Sequence, residues 1–358
     1  MCSAAPQRRL SGAYGNHGEM WPDLHHPSVL IFLTALVVAI VSSVRRSLFA
    51  RSRPLALDVH NTILVAIVLD PSSTRSSIDE IFRAADMPAR VRVAAYCHAG
   101  EPLFSPVHQQ HVRVARHMRR TMTPFSAARA RAWLTQHLWR SEQFTLLCPA
   151  GAQLCNSWDT LLVDMLQRHP PDSILTTHCH AADVTAGPRD VLPRFLCLGG
   201  MRGARIELNS RPVAAALAEG ELIPSLFWSP SFSFCESDAL QRCPLATGAS
   251  DGMEATLNSI RLYTHGYSFY APSRTVAWCG EPADPAPAAR KKAGADAVVP
   301  PPGTVRTLRQ FEEFAGVSFA TSTATTRSRT GLTQAAGVPE CTVKYGSLEN
   351  TRAALRME

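Results

Sequence analysis

The run TILVAIVL, Thr62 to Leu69, constrains this chain more than any other feature. It has strand length, carries no polar residue after Thr62 and is rich in β-branched side chains. Continuous apolar character, as opposed to alternation, is expected of a strand covered on both faces, and such strands belong to parallel sheets. Asp70 and Pro71 end the run. Ser76 to Ala85 then places Ile78, Ile81, Phe82 and Ala85 on one helical face, and VRVAAYC, Val91 to Cys97, is a second apolar run. This strand–helix–strand order predicts a parallel unit with a right-handed crossover.

The alternation continues downstream. Val112 to Ala115 reads as a third strand. Phe125 to Trp139 reads as a helix with Ala128, Ala132, Gln136 and Trp139 along one side. Phe144 to Cys148 is the next strand, Trp158 to His169 the next helix, and Ser173 to Thr177 a further strand. An α/β fold with an open sheet follows, and in such sheets ligands bind beyond the carboxyl ends of the strands. Leu196 to Leu208 and Ser225 to Cys235 show no regular period and read as irregular. Glu254 to Tyr263 has helical spacing. Thr304 to Val317 is a short amphipathic helix with Leu308, Phe311, Phe314 and Ala315 on its apolar face. There is no internal repeat.

Composition narrows the functional classes. Hydrophobic residues make up 46% of the 358 and charged ones only 18%, which suits a packed core. Of the 36 basic side chains only Lys291, Lys292 and Lys344 are lysines, and no basic run is interleaved with aromatics. Nucleic acid is therefore not an expected partner. The net charge of +7 is compatible with anionic substrates such as sugar nucleotides. Ten cysteines occur without a C-x-x-C pair, which argues against a structural zinc site. Cys97, Cys148 and Cys197 lie in apolar runs and read as small hydrophobes.

Val29 to Val44, VLIFLTALVVAIVSSV, is free of charge. It is short for a membrane span, which takes roughly 17 to 25 residues, but thin bilayers accept short spans. We read it as a single transmembrane anchor; a signal peptide and a buried core helix are the rivals. The domain plan that follows is a tail over 1–28, an anchor over 29–44, a stem over 45–58, an α/β domain over 59–282, a Pro/Ala-rich linker over 283–303 and a C-terminal segment over 304–358. Arg45, Arg46, Arg51 and Arg53 follow the run and by themselves favour a cytosolic C-terminal part.

In FTLLCPAGAQLCNSWDTLL, Phe144 to Leu162, a strand breaks at Pro149-Ala150-Gly151 and restarts as a helix. A break at a strand's carboxyl end is a ligand position, yet this one carries no carboxylate, imidazole or amine. Asp159 is the nearest carboxylate; it reads as a helix-start cap, with a metal role as the rival. His178 and His180 flank Cys179 at period two and suit either metal binding or an ordinary loop.

Four stretches together resemble the polypeptide α-N-acetylglucosaminyltransferases. They are Ile63 to His98; LWRSEQFTLLCPAGAQLCNSWDTLLVDML with ILTT behind it; LFWSPSFSF and GMEATLNSIRLYTHGYSFYAP, between Leu226 and Pro272; and the closing GVSF, GLT and KYGS between Gly316 and Ser347. RLYTHGYSFYAP is the most specific. The resemblance implies a GT-A fold, a Rossmann-like nucleotide-sugar sheet, with retaining transfer of GlcNAc from UDP-GlcNAc to a hydroxyl group of a protein acceptor. It also implies a Golgi or ER membrane protein with a lumenal domain, and we side with that placement over the flanking arginines.

The family uses Mn²⁺ or Mg²⁺ to stabilise the leaving diphosphate. Aligning WDTLL with the family's WDxLL puts Pro149 and Gly151 where its Asp-x-His ligand pair stands, and Cys279 near the position of its later His. Gly252-Met253-Glu254 replaces a Gly-Glu-Glu. The expectation is therefore a metal site that has been lost, and no cofactor is assigned. The resemblance leaves Glu254, Arg261 and His265 as catalytic candidates and Ala66, Asp70 and His98 as nucleotide-binding ones. Each has a plainer rival: a surface helical Glu, an ion pair between Arg261 and Glu254, a satisfied loop His, and a turn cap for Asp70. Arg261 or Arg274 could substitute for the ion. A member that binds a nucleotide sugar or a partner without turnover is the alternative to an active enzyme.

Overall fold

The computed structural model describes residues 61–69, 78–97, 104–116, 126–181, 192–212, 223–247, 249–250, 252–279 and 303–324. The chain divides into Met1–Asp58 and Val59–Glu358, and all described residues lie in the second unit. The expected anchor, its flanking arginines, the stem and nearly all of the linker fall outside the described residues. Among those described, no helix is long and apolar enough to cross a membrane.

Strands β1 (Ile63–Leu69), β2 (Val91–Cys97), β3 (Val112–Arg116) and β4 (Phe144–Leu147) form one half of an eight-stranded sheet. β1 pairs in parallel with β2 through Ile63↔Val91 to Leu69↔Cys97, and with β4 through Ile63↔Phe144 to Ala66↔Leu147. The continuous apolar run of β1 has the expected cause. Leu64 and Ala66 enter one core, while Ile63, Val65, Ile67 and Leu69 enter the core on the other face. Each fully buried Leu or Ile contributes about 1.5–3 kcal/mol, so a one-residue slip would cost several such terms.

Helices α1 (Ile78–Ala84) and α3 (Trp158–Gln167) cover the second face with Ile78, Ile81, Phe82, Trp158, Leu162 and Val163. Helix α2 (Ala127–His137) covers the first, capped by Ser126, whose hydroxyl accepts from the Arg129 N–H at 3.3 Å. Its buried residues are Ala128, Ala130, Ala132, Leu134 and Thr135, so the inward stripe is rotated from the one expected through Gln136 and Trp139.

The other half of the sheet departs from expectation. Ser225 to Cys235 is not irregular throughout: β11 (Ser233–Glu236) is inserted antiparallel between β4 and β6 (Ser173–Thr176). Leu196 to Leu208 lies within a hairpin of β8 (Arg194–Arg202) and β9 (Arg205–Pro212), with a register shift between Leu198 and Gly200. That shift breaks the two-residue period by which strands are read. β12 (Ser268–Ala271) pairs in parallel with β6, and β10 (Ile223–Pro224) closes the edge beyond it. The order is β10-β12-β6-β11-β4-β1-β2-β3.

Helix α4 (Ser237–Arg242) follows β11, and α5 (Glu254–Thr264) leads into β12. The described part of the C-terminal segment, up to residue 324, packs on the 59–282 domain. Its helix α6 (Leu308–Ala315) begins at a Thr307/Gln310 capping box and ends at Gly316, φ 66°. Phe311 and Phe314 pack on Tyr263 with ring centroids 5.5 and 4.9 Å away, inside the first core.

Candidate functional site

The carboxyl edge of β4 is where the chain turns. Cys148, Pro149, Ala150 and Gly151 lead into β5 (Ala152–Leu154), and the Ala152 N–H donates to the Pro149 carbonyl at 3.2 Å. Gly151 has φ +90°, a left-handed conformation that a side chain resists. A Cβ built there meets nothing within 4 Å, so the space is open and only the backbone objects.

β5 pairs antiparallel with β13 (Ala277–Cys279), and β13 pairs in parallel with β7 (His180–Ala181). This small sheet sets Cys279 opposite Ala152, one residue past the turn. The three positions singled out by sequence, Pro149, Gly151 and Cys279, are thus brought together. Their chemistry does not fit a hard divalent ion. Pro149 and Gly151 have no ligating atom in their side chains, and a thiol prefers soft metals. Among the described residues no group of three or more His, Cys, Asp or Glu side chains is placed to hold a metal.

One of the rival metal ligands, Asp159, is otherwise engaged. Asp159 is wholly buried and accepts from the backbone N–H groups of Asp86 and Met87 at 2.7 and 2.9 Å and from Arg90 Nε at 2.9 Å. It ties α3 to the loop before β2 and does not cap its own helix, which corrects both sequence readings. Burial, then the Arg194 charge, pushes the His178 imidazole down to about 4, so it is neutral at ordinary pH.

Glu254 is not a surface helical residue. It is 1% exposed and forms a two-pronged ion pair with Arg131, whose Nε donates to Oε1 at 2.8 Å while Nη2 donates to Oε2. Its partner is thus Arg131 of α2, not Arg261. Arg261 instead donates from Nη2 to the Pro244 carbonyl at 3.0 Å, and its buried Nε has no hydrogen-bond partner among the described residues. His265 Nδ1 lies 2.6 Å from the Arg261 carbonyl, a helix-end contact that satisfies this loop His.

Direction in the sheet separates these residues. His265 stands three positions before Ser268, which pairs with Ser173 at the amino-terminal start of β6. Arg261 and His265 therefore lie toward the edge opposite the Pro149–Gly151 turn, and neither reaches it. Glu254 is at the other end of α5, about 16 Å away at 1.5 Å per residue. There Met253 and Leu257 pack with Ala128, at the start of α2. Arg274 falls between Ala271 at the end of β12 and Ala277 of β13, exposed and close enough to Cys155 to act on its thiol.

Of the expected nucleotide contacts, Ala66 is fully buried between Ala94 and Leu147 and offers no surface to a ligand. Asp70 and His98 directly follow the last residues of β1 and β2 and lie outside the described residues. Sequence reasoning missed Arg131, for which no local signal exists, because it stands 123 residues from Glu254.

A profile of the glycosyltransferase (GlcNAc) family matches residues 85–281, more than half of the chain, from just after α1 through β13. The chain belongs to this GlcNAc glycosyltransferase family. No curated protein matches it in sequence. Among solved structures, S. aureus TarS 1-349 is similar at 10% identity and a TM-score of 0.41, over 61% of this chain and 60% of that one. The same protein in complex with UDP-GlcNAc gives 0.40 at 10% identity, over 62% and 58%. The mannosyltransferase PcManGT from Pyrobaculum calidifontis, in complex with GDP-Man and Mn²⁺, gives 0.37 at 12% identity, over 72% and 69%. The chain thus spans about three fifths of the length of the TarS 1-349 structures.

Proposed function

We propose that this GT-A-type family member binds UDP-GlcNAc along the carboxyl edge of β1, β2 and β4 and transfers GlcNAc to a hydroxyl group of a protein acceptor without a tightly held divalent ion. The observation that carries the reading is the Pro149–Gly151 turn: it lies at the carboxyl edge of the sheet, beside Cys279, and has no hard ligand in its side chains. The departing diphosphate still needs positive charge, because developing anionic charge is the main barrier such sites lower. Arg274 is the basic side chain we assign to it. It lies at the carboxyl end of β12, whereas Arg261 is drawn off to the opposite edge.

A second reading has its own support. Glu254, the remaining carboxylate of the family's acidic pair, is locked onto Arg131 and closed to solvent. A member that binds the donor without turnover would have that arrangement. The membrane anchor at Val29 to Val44 and a lumenal Golgi or ER placement belong to the same proposal; protease protection of the domain in intact vesicles supports them, and digestion without detergent overturns them.

Titration calorimetry with UDP-GlcNAc, run in Mn²⁺ and in EDTA, tests the donor site. Equal affinities in the two buffers support it. Transfer of labelled GlcNAc to protein acceptors separates the two readings, and transfer that requires Mn²⁺ would overturn the metal-free site.

A further inference from the structure

Helix α5 buries two polar atoms that meet no partner among the described residues. Asn258 is 1% exposed, and its Oδ1 accepts from the Ala246 N–H at 2.9 Å. That bond fixes which way the amide faces, since the opposite orientation would set N–H against N–H. Nδ2 is then a buried donor, and among the described residues nothing accepts from it. Arg261 stands three residues on, a neighbour on the same helix face. Its Nη2 donates to the Pro244 carbonyl at 3.0 Å, and its Nε is the second buried donor without an acceptor among the described residues. Both side chains thus clasp the same stretch, Pro244 to Ala246, between α4 and α5, and each keeps one nitrogen unused.

Charge is unbalanced at the same place. Among the described residues no carboxylate pairs with Arg261. Glu254, two turns earlier on α5, is taken by Arg131. Burial holds the Cys243 thiol above its ordinary range although the Arg261 charge opposes it, so this neighbour is a neutral thiol at ordinary pH and supplies no counter-charge. An unmet buried donor is costly, and more so on a charged group. A water molecule would satisfy the two hydrogen bonds alone, whereas an anion satisfies the bonds and the charge together. Arg261 is half-buried, so an ion can reach it from solvent.

We propose that Asn258 Nδ2 and Arg261 Nε form a binding site for a small monovalent anion, chloride in ordinary buffers, where α5 packs on the 244–246 loop. Two donors and one positive charge match one small univalent ion; phosphate would ask for more of both. The bound ion pins the chain that leads to Gly252 and Glu254. Arg261 lies toward the sheet edge opposite the Pro149–Gly151 turn, so this is not the donor site. The inference is independent of whether the donor edge binds UDP-GlcNAc.

The test uses the full chain. Thermal unfolding is followed in sodium chloride and in sodium gluconate at equal ionic strength, gluconate being too large for the site. The midpoint should rise with chloride, by about 2–4 °C for each tenfold increase beyond the dissociation constant, and stay lower in gluconate. Asn258→Asp keeps an acceptor for the Ala246 N–H and brings its own negative charge to Arg261, so its midpoint should not respond to chloride. Crystals of the unaltered chain grown in sodium bromide show the ion directly, as an anomalous peak within hydrogen-bond distance of both nitrogens. That measurement does not depend on whether a variant folds. A water molecule between the two nitrogens, bromide bound only elsewhere, equal midpoints in the two salts, or a chloride response retained in Asn258→Asp would each overturn the proposal.

Discussion

Arg131 grips Glu254 with two nitrogens, Nε to Oε1 at 2.8 Å and Nη2 to Oε2, and so joins the second turn of α2 to the first turn of α5. The Glu254 side chain is 1% exposed and that of Arg131 16%, so removing either partner strands the other in a poorly solvated place. Breaking such a pair typically costs about 3–5 kcal/mol. Arg131→Ala should lower urea-unfolding stability by about 3 kcal/mol, and Arg131→Met with Glu254→Leu should recover much of the loss. If Glu254→Gln abolished transfer at unchanged stability, Glu254 would act on substrate and not as a strut.

Asp159 should behave as a structural residue. Asp159→Asn keeps the shape but surrenders the charge on Arg90 and one of the acceptors for Asp86 and Met87. Charge-assisted hydrogen bonds contribute about 1.5–3 kcal/mol each, so a loss of a few kcal/mol is expected. The affinity for UDP-GlcNAc should stay the same in Mn²⁺ and EDTA. A new difference between those buffers in the variant would tie Asp159 to a metal.

Rebuilding the metal site should be harder than replacing two side chains. Gly151 sits at φ +90°, where a non-glycine residue costs about 1–3 kcal/mol. Pro149→Asp with Gly151→His should therefore destabilise the chain by that amount and leave Mn²⁺ affinity weak. Adding Cys279→His supplies a third ligand from the neighbouring strand. Isothermal titration of Mn²⁺ into the double and triple variants checks this, and tight binding by the double variant would show that the turn relaxes freely.

Acid should weaken the fold in part through His178. Its folded value is pushed down to about 4, by burial first and by Arg194 second, against an ordinary 6.5. A depressed histidine favours the folded state while neutral. Its contribution is therefore complete above about pH 6.5 and is lost as pH falls toward about 4. His169 is lowered as well, by burial, and adds in the same direction. His178→Gln should flatten the fall in urea midpoint between pH 7 and pH 4; an unchanged slope would show that His178 takes up its proton freely in the folded protein.

Helix α6 should be indispensable to the domain. Phe311 is fully buried among Phe227, Tyr263 and Phe319. Phe311→Ala should cost about 3–5 kcal/mol by thermal or urea unfolding. A loss below about 1 kcal/mol would mean that the segment is a detachable appendage.

Much of this molecule was legible from local pattern. β1, β2 and β4, and the helices between them, follow from apolar runs and periodicity, because burial on both faces leaves a signal within eight or so residues. The lack of ligating side chains at Pro149 and Gly151 was equally plain, since it is a matter of residue type. Tertiary structure decided the rest. The hairpin of β8 and β9 escaped notice because its shift at Leu198/Gly200 breaks the alternation. Arg261 and His265 sit in the most specific motif, yet α5 runs so that both end at the edge opposite the turn. Glu254 was assigned by its neighbours in sequence, but Arg131 reaches it from 123 residues away. Short-range periodicity records which side of an element is buried. Which side chain meets which across the fold depends on the order and direction of the strands, and no window of sequence carries that.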